Sequence, residues 1–228
     1  MDGRIDHLQE QGDSIKKAMD SNRGKLDAKG FKQAKYDSFI AAQTDINTKD
    51  NAQVKLVEAA EAKTNEKNQA RAEAESLINK TNLTVKSTYG ENKSKLKLFK
   101  VDEQVTGGYN GIIDRCEYLG ETCEANKADL TDNGMTEEEI SSIKLLPDKL
   151  REANSAQKQA MKDQKSATVV RDESAKVFKS EIKKITNFVK ANFANDAAML
   201  IAFEPIPKGG GGKGGTDTPP PANPEQPK

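Results

Sequence analysis

Residues 1–103 match residues 105–207 when the chain is shifted by 104 positions without gaps. In this alignment 15 of the 103 pairs are identical, about twice the number that random pairing at this composition gives. The identical pairs include Asn22/Asn126, Leu26/Leu130, Gly30/Gly134, Thr64/Thr168, Ile78/Ile182, Val85/Val189, Leu96/Leu200 and Phe99/Phe203. A repeat unit that cannot bury its own apolar stripe needs its sister copy, so the match favours one cooperative domain built from two related halves.

Both halves show the same order of short and long helical segments. Apolar residues recur at helical spacing over about 4–23 and again over about 109–127, which predicts a shorter helix at the start of each half. A turn follows in each case, because Gly30 and Gly134 accept the positive φ that ends a helix. Each half is therefore predicted to fold as a helix, a turn, a long helix and a short ending.

The long helices are predicted from two stretches that are poor in helix breakers. Residues 31–89 contain neither glycine nor proline, and residues 135–193 contain only Pro147, which we expect to kink the second long helix or to restart it. Thr136 and Glu139 have the spacing of a capping box, so this helix is predicted to begin there. Hydrophobic residues make up 34% of the chain and charged residues 32%, a balance typical of long helices that bury a single stripe.

A seam of nearly heptad spacing runs along both long helices, apolar at its ends and polar in its middle. The polar members are Gln53, Thr64, Lys67, Gln157, Gln164, Thr168 and Arg171. They could form a buried layer that fixes the helix register, or line a cavity for a ligand or ion. The alternative is that the helices project past the bundle, or break near 47–51 and 65–68, so that these side chains meet water. We favour the solvated alternative, because burying Lys67 or Arg171 without a partner is costly.

The endings of the two halves differ in chemistry. Residues 93–100 carry lysines where residues 197–204 carry apolar side chains. The leucine and phenylalanine common to both endings are predicted core contacts, so the differing positions are expected to be more exposed. An exposed apolar patch suggests a contact surface for a partner or a second copy; alternatively the halves pack differently and the segment is buried. The candidate interaction patch is Ala197, Met199, Ile201 and Phe203.

Residue types that build catalytic and metal sites are few. His7 is the only histidine, and Cys116 and Cys123 lie seven positions apart, about 10.5 Å along a helix, which is too far for a disulfide. We therefore predict no catalytic residues, no metal site and no cofactor, and we predict that the protein is not an enzyme. The formal net charge of +0 argues against nucleic acid as a partner.

These patterns predict an all-α helical bundle built from an internally duplicated helix–turn–long-helix unit with a pseudo-two-fold. The first repeat covers residues 1–104. The second covers residues 105–207 and packs with the first as one domain. Residues 208–228 are expected to form a disordered tail, because their Gly- and Pro-rich composition cannot bury enough apolar surface.

The predicted function is a non-enzymatic structural or protein-interaction bundle that can self-assemble, with a protein or a second copy as its partner. Two alternatives stay open: an exported helical protein acting at a cell or membrane surface, and a helical-bundle ligand carrier or enzyme that uses the polar seam. No apolar run approaches the roughly 20 residues of a membrane helix, no signal peptide begins the sequence, and unpaired cysteines suit a reducing compartment. We expect a cytoplasmic protein, with export without a cleaved signal as the alternative.

Overall fold

The computed structural model describes residues 3–206, and every regular element in that range is an α-helix. The predicted tail at 208–228 lies outside the described residues. The predicted all-α class is therefore confirmed for the part of the chain that folds into these elements. The helices between residues 3 and 206 are α1 (Gly3–Ser21), α2 (Arg23–Ala28), α3 (Gln33–Tyr89), α4 (Lys93–Leu98), α5 (Gly108–Ala125), α6 (Lys127–Thr131), α7 (Glu137–Asn192) and α8 (Ala197–Ala202).

The helices of the two halves begin at equivalent positions. The starts of α2 and α6, of α3 and α7, and of α4 and α8 are each 104 residues apart. Only α1 and α5 depart from this spacing, and by a single residue. The order of elements thus has the same period as the sequence match, while a common origin of the two halves stays a prediction.

Local signals in the sequence explain where the long helices start. Gly30 and Gly134 both have positive φ, of 81° and 100°, and each allows the chain to turn sharply before a long helix. At the start of α7, Thr136 N–H donates to Glu139 Oε2 (3.0 Å) and Glu139 N–H donates to Thr136 Oγ1 (3.1 Å), which confirms the capping box. The helix does not restart at Pro147, which lies inside α7.

Two compact units divide the chain, and their boundaries differ from those of the sequence repeats. Among the described residues, the first unit comprises 3–38 and 180–206, and the second comprises Phe39–Lys179. The boundaries fall inside α3 and α7, so each half of the sequence contributes residues to both units. The predicted division at residue 104 describes the repeat, not these compact units.

The first unit buries the apolar faces of α1, α2 and α8 together with the start of α3 and the end of α7. Phe31 and Phe188 meet edge to face with their ring centroids 5.1 Å apart, a favoured aromatic geometry. Lys25 and Asp196 form an ion pair of 3.1 Å at its surface. The buried apolar residues of this unit include Ile5, Ile15, Met19, Leu26, Phe31, Ile182, Ile185, Val189, Phe193, Met199 and Phe203.

The second unit is built on antiparallel packing of α3 against α7. Asp45 lies opposite Ser174, and Glu73 lies opposite Lys149, so partners descend along α7 as residue numbers rise along α3. The short helices α5 and α6 complete the core at one end of this pair. Its buried members include Ala70, Ala74, Ile78, Val85, Phe99, Ile112, Cys116, Leu119, Cys123, Leu130, Ile140, Ile143 and Leu150.

Candidate functional site

The polar middle of the seam lies on continuous helices within the second unit. α3 passes through residues 47–51 and 65–68 without interruption, so the alternative in which the helix breaks at these positions does not hold. Pairing with α7 along this stretch keeps the asparagine-rich turns helical in spite of their modest propensity. The predicted seam residues are half-buried, except Arg171, which is buried.

Threonine and glutamine side chains fill the centre of the seam. The Thr64 hydroxyl donates to the carbonyl of Ala60 (2.9 Å), and the Thr168 hydroxyl donates to the carbonyl of Gln164 (3.0 Å). These bonds satisfy the hydroxyls within their own helices. Gln53 Nε2 reaches across to Thr168 Oγ1 at 3.5 Å, the outer limit for a hydrogen bond. The centre of the seam therefore holds the helices together only weakly.

Gln157 lies on the more exposed side of α7 and contacts its own helix. Its Nε2 lies 2.9 Å from Met161 Sδ, one turn further on. Gln164 contributes its backbone carbonyl to Thr168 and its side chain to a groove described below. Neither residue makes a strong bond to α3.

Arg171 is a buried polar connection between the long helices. It is 5% exposed, and its guanidinium lies 3.8 Å from Asp50 on α3 and 2.8 Å from Asp172 on its own helix. One turn away, the hydroxyl of Ser174 donates to Asp45 of α3 at 2.5 Å. Arg171 is thus buried with carboxylate partners, which removes the objection to burying it.

Lys67, at the position equivalent to Arg171 in the first half, has a different environment. Its Nζ lies 4.7 Å from the centroid of the Tyr109 ring, within the range of a cation–π contact. The Tyr109 hydroxyl donates to the carbonyl of Leu150 (3.1 Å). The seam cation therefore has different partners in the two halves: an aromatic ring for Lys67 and carboxylates for Arg171.

Two shallow grooves follow the half-buried seam between α3 and α7. One has a volume of about 300 Å³ and the other about 310 Å³. The first brings Thr64 and Gln164 together with Val57, Ala60 and Met161. The second is lined mainly by charged and small residues: Lys63, Glu66, Gln69, Ala70, Lys149, Glu152, Ala153 and Ala156. Thr64 and Gln164 are the only two of the seven predicted seam residues that line the first groove.

The candidate interaction patch divides between two faces of α8. Met199 is 1% exposed and Phe203 is 2% exposed, so the expectation that Met199 faces water is wrong. Met199 lies on the inner face of α8, and Phe203 is the C-cap residue that follows the helix. Ile201 is 70% exposed, and Ala197 is also exposed on the outer face. Only Ala197 and Ile201 can therefore contact a partner without unfolding the unit.

The two cysteines are unpaired core residues on α5. Burial raises the pKa of Cys116 to about 11 and that of Cys123 to about 12. Both thiols are therefore protonated near neutral pH, which makes them poor nucleophiles and poor metal ligands.

Arg115 is a buried polar residue that sequence reasoning missed. It is 7% exposed, and its Nη2 donates to the carbonyls of Phe99 (3.2 Å) and Lys100 just after α4. The Tyr118 hydroxyl donates to the neighbouring carbonyl of Leu98 (2.7 Å). The segment that joins the two halves is thus tied to α5. Helical periodicity gives no signal for this role, because Arg115 occupies a position in the buried stripe of α5 where an apolar residue is expected.

Several exposed apolar residues on α7 also escaped the sequence analysis. Val169, Val170 and Val177 are 58%, 40% and 56% exposed. They lie outside the spacing of the seam. Singly exposed apolar side chains of this kind are common on protein surfaces.

Among residues 3–206, no group of three or more His, Cys, Asp or Glu side chains is placed to hold a metal ion. Across the same described residues, no helix is both long and apolar enough to span a bilayer. No family model, curated protein or solved structure matches the chain. Its function is therefore inferred from its own residues and their geometry.

Proposed function

We propose that this chain is a non-enzymatic structural or protein-interaction helical bundle. The observation that supports it is the continuity of α3 and α7, which contain 57 and 56 residues. At 1.5 Å per residue, each helix is about 85 Å long. Within the second unit, the paired stretches of α3 and α7 present a continuous two-helix surface, which suits a structural or protein-interaction role.

The chemistry of the buried groups supports a structural role. Cys116 and Cys123 are protonated thiols within the core, and the Arg171 guanidinium is neutralised by carboxylates. Groups with these partners contribute to packing and pairing of helices and are not poised to react. Two buried, unpaired thiols are also typical of a reducing compartment, so we propose a cytoplasmic location.

The outer face of α8 is the contact surface in this proposal. Ile201 has the largest exposed fraction among the exposed large apolar side chains of the described chain, and Ala197 lies on the same face one turn earlier. Their counterparts on α4 are Lys97 and Lys93, so the two halves present different chemistry at equivalent positions. An apolar contact can therefore form at α8 but not at the equivalent face of α4. The proposed partner is a second copy of the chain.

Light scattering with size exclusion tests this proposal over a wide concentration range. We expect the wild-type protein to assemble, and we expect Ile201→Glu to reduce the measured mass, because a charge cannot be buried in an apolar contact. Leu83→Glu is the matched control, since Leu83 is 69% exposed against 70% for Ile201. A mass that is identical in all three proteins, at equal helicity by circular dichroism, would contradict self-assembly through α8.

A further inference from the structure

The cross-helix polar contacts of the second unit that involve buried side chains lie at one place, which we call the arginine layer: Asp45, Asp50, Arg171, Asp172 and Ser174. Two further ion pairs, Lys149–Glu73 and Lys80–Glu139, join the same helices at more exposed side chains. Arg171 contacts Asp50 across the helix pair, and Ser174 donates to Asp45 across the same pair. Arg171 and Ser174 are both buried, at 5% and 9% exposure. The remainder of the polar seam makes a single long cross-helix bond, from Gln53 to Thr168.

Both contacts of the arginine layer require the same antiparallel register. Asp50 follows Asp45 along α3, while Ser174 follows Arg171 along α7. Both cross-helix contacts can therefore form together in only one alignment of the two helices. A slip by one helical turn moves Arg171 about 5.4 Å along α3. The guanidinium would then keep Asp172 of its own helix but lose Asp50, and the buried Ser174 hydroxyl would lose Asp45, so the slipped state is unfavourable.

The positions equivalent to the arginine layer in the other half lack its chemistry. Lys67 takes the place of Arg171, and its amino group rests on the Tyr109 ring. Asn154 takes the place of Asp50, and Ala70 takes the place of Ser174. If α7 paired with α7 of a second copy in the equivalent register, Arg171 would face Asn154, which offers no negative charge.

We infer that the arginine layer selects the pairing of α3 with α7 in a single register, against slipped registers and against pairing with the same helix of a second copy. The central seam cannot make this selection, because its threonine hydroxyls are satisfied within their own helices. A single buried polar contact is known to fix the register and partner of paired helices, at some expense in stability. The inference is independent of the proposed function, since it concerns contacts within one chain.

Spin-label distances between α3 and α7 test the register directly. Labels on Glu58→Cys and Lys162→Cys use exposed positions, and the buried native thiols of Cys116 and Cys123 stay unlabelled in the folded protein. The test variant is Asp50→Leu with Arg171→Leu and Ser174→Ala, which removes both contacts of the layer between the helices. The matched control is Lys67→Leu with Asn154→Leu, which changes the equivalent positions of the other half and removes no ion pair between the helices.

We expect one narrow distance in the otherwise native protein and in the Lys67/Asn154 control. The apolar Asp50/Arg171/Ser174 variant is expected to give a broadened or divided distribution, or an increased mass in light scattering, with helicity retained. A single unchanged distance and an unchanged mass in the apolar variant would overturn the inference.

A charge-reversed variant covers the case in which the apolar variant does not fold. Arg171→Asp alone places a negative charge opposite Asp50. Adding Asp50→Arg restores an ion pair in which the two helices have exchanged their charges. We expect the combined variant to recover the single distance that Arg171→Asp loses. A combined variant as heterogeneous as Arg171→Asp alone would also overturn the inference.

Discussion

At the level of single residues, Gly111 is a position where the backbone of a neighbouring segment leaves no room for a side chain. A Cβ added at Gly111 would lie 1.6 Å from the carbonyl oxygen of Thr106. The obstructing atom belongs to backbone, so the segment joining the two halves would have to move. We expect Gly111→Ala to lower the free energy of unfolding by about 1–3 kcal/mol, measured by urea denaturation.

Gly24 provides the matched control for Gly111. It also lies in a helix, and a Cβ added there meets nothing within 4 Å. Gly24→Ala is therefore expected to raise stability by up to about 1 kcal/mol through the better helix propensity of alanine. Equal effects of the two substitutions would contradict the close approach at Gly111.

The sequence predicts which residues belong to the seam but not which residues they contact. The spacing of apolar residues identified Arg171 as a seam residue, but it could not supply Asp50, because the pairing of two distant helices leaves no local signal. Arg115 was missed for a related reason. Its partners are backbone carbonyls of Phe99 and Lys100, and backbone acceptors carry no sequence signature.

At the level of elements, the capping box at the start of α7 gives a direct test. Thr136→Ala removes the hydroxyl that accepts from Glu139 N–H, and we expect a loss of about 1 kcal/mol in the free energy of unfolding. Thr136→Ser keeps the hydroxyl and is expected to change stability little. Two substitutions with equal effect in thermal or urea denaturation would show that the cap does not stabilise α7.

Element positions were the most predictable part of the structure. Helix starts follow from glycine turns and a capping residue, which act within a few positions along the chain. The two faces of α8 were not predicted, because comparison of the halves assumed that differing residues face water. Met199 differs from its counterpart Lys95 and is nevertheless buried, since the core beneath α8 accepts an apolar side chain there.

At the level of the whole molecule, the buried thiols make stability depend on pH. The pKa values of Cys116 and Cys123 rise from 9.0 to about 11 and about 12 on folding. Between these values the unfolded chain loses thiol protons that the folded chain retains. Stability from these groups is fully present below pH 9.0 and falls as the pH rises, by up to about 1.4 kcal/mol per pH unit for each thiol.

Urea denaturation from neutral to alkaline pH measures this effect against a variant with Cys116→Ala and Cys123→Ala. The variant is expected to be less stable at neutral pH because of the cavities it creates. Its deficit relative to the wild-type protein should shrink as the pH rises above 9.0, the unfolded thiol pKa. A deficit that stays constant over this range would contradict the shift in the thiol pKa values.

The division into compact units could not be predicted from the sequence. The repeat suggested a boundary near residue 104, whereas the units divide within α3 after Ser38 and within α7 after Lys179. A sequence repeat reports which segments are alike, and packing depends on which segments meet. The all-α class was predictable because it follows from composition and periodicity alone.

The pairing of α3 with α7 also sets an order of events during synthesis. Gln53 and its partner Thr168 are 115 residues apart in the chain, so at the usual rate of translation about 6–23 s pass before the second helix follows the first out of the ribosome. Throughout that interval Gln53 and the neighbouring part of α3 lack their partner on α7. The middle of the seam consists largely of threonine, glutamine and alanine, so it exposes little apolar surface during this time. A seam of this kind therefore limits aggregation of the nascent polypeptide.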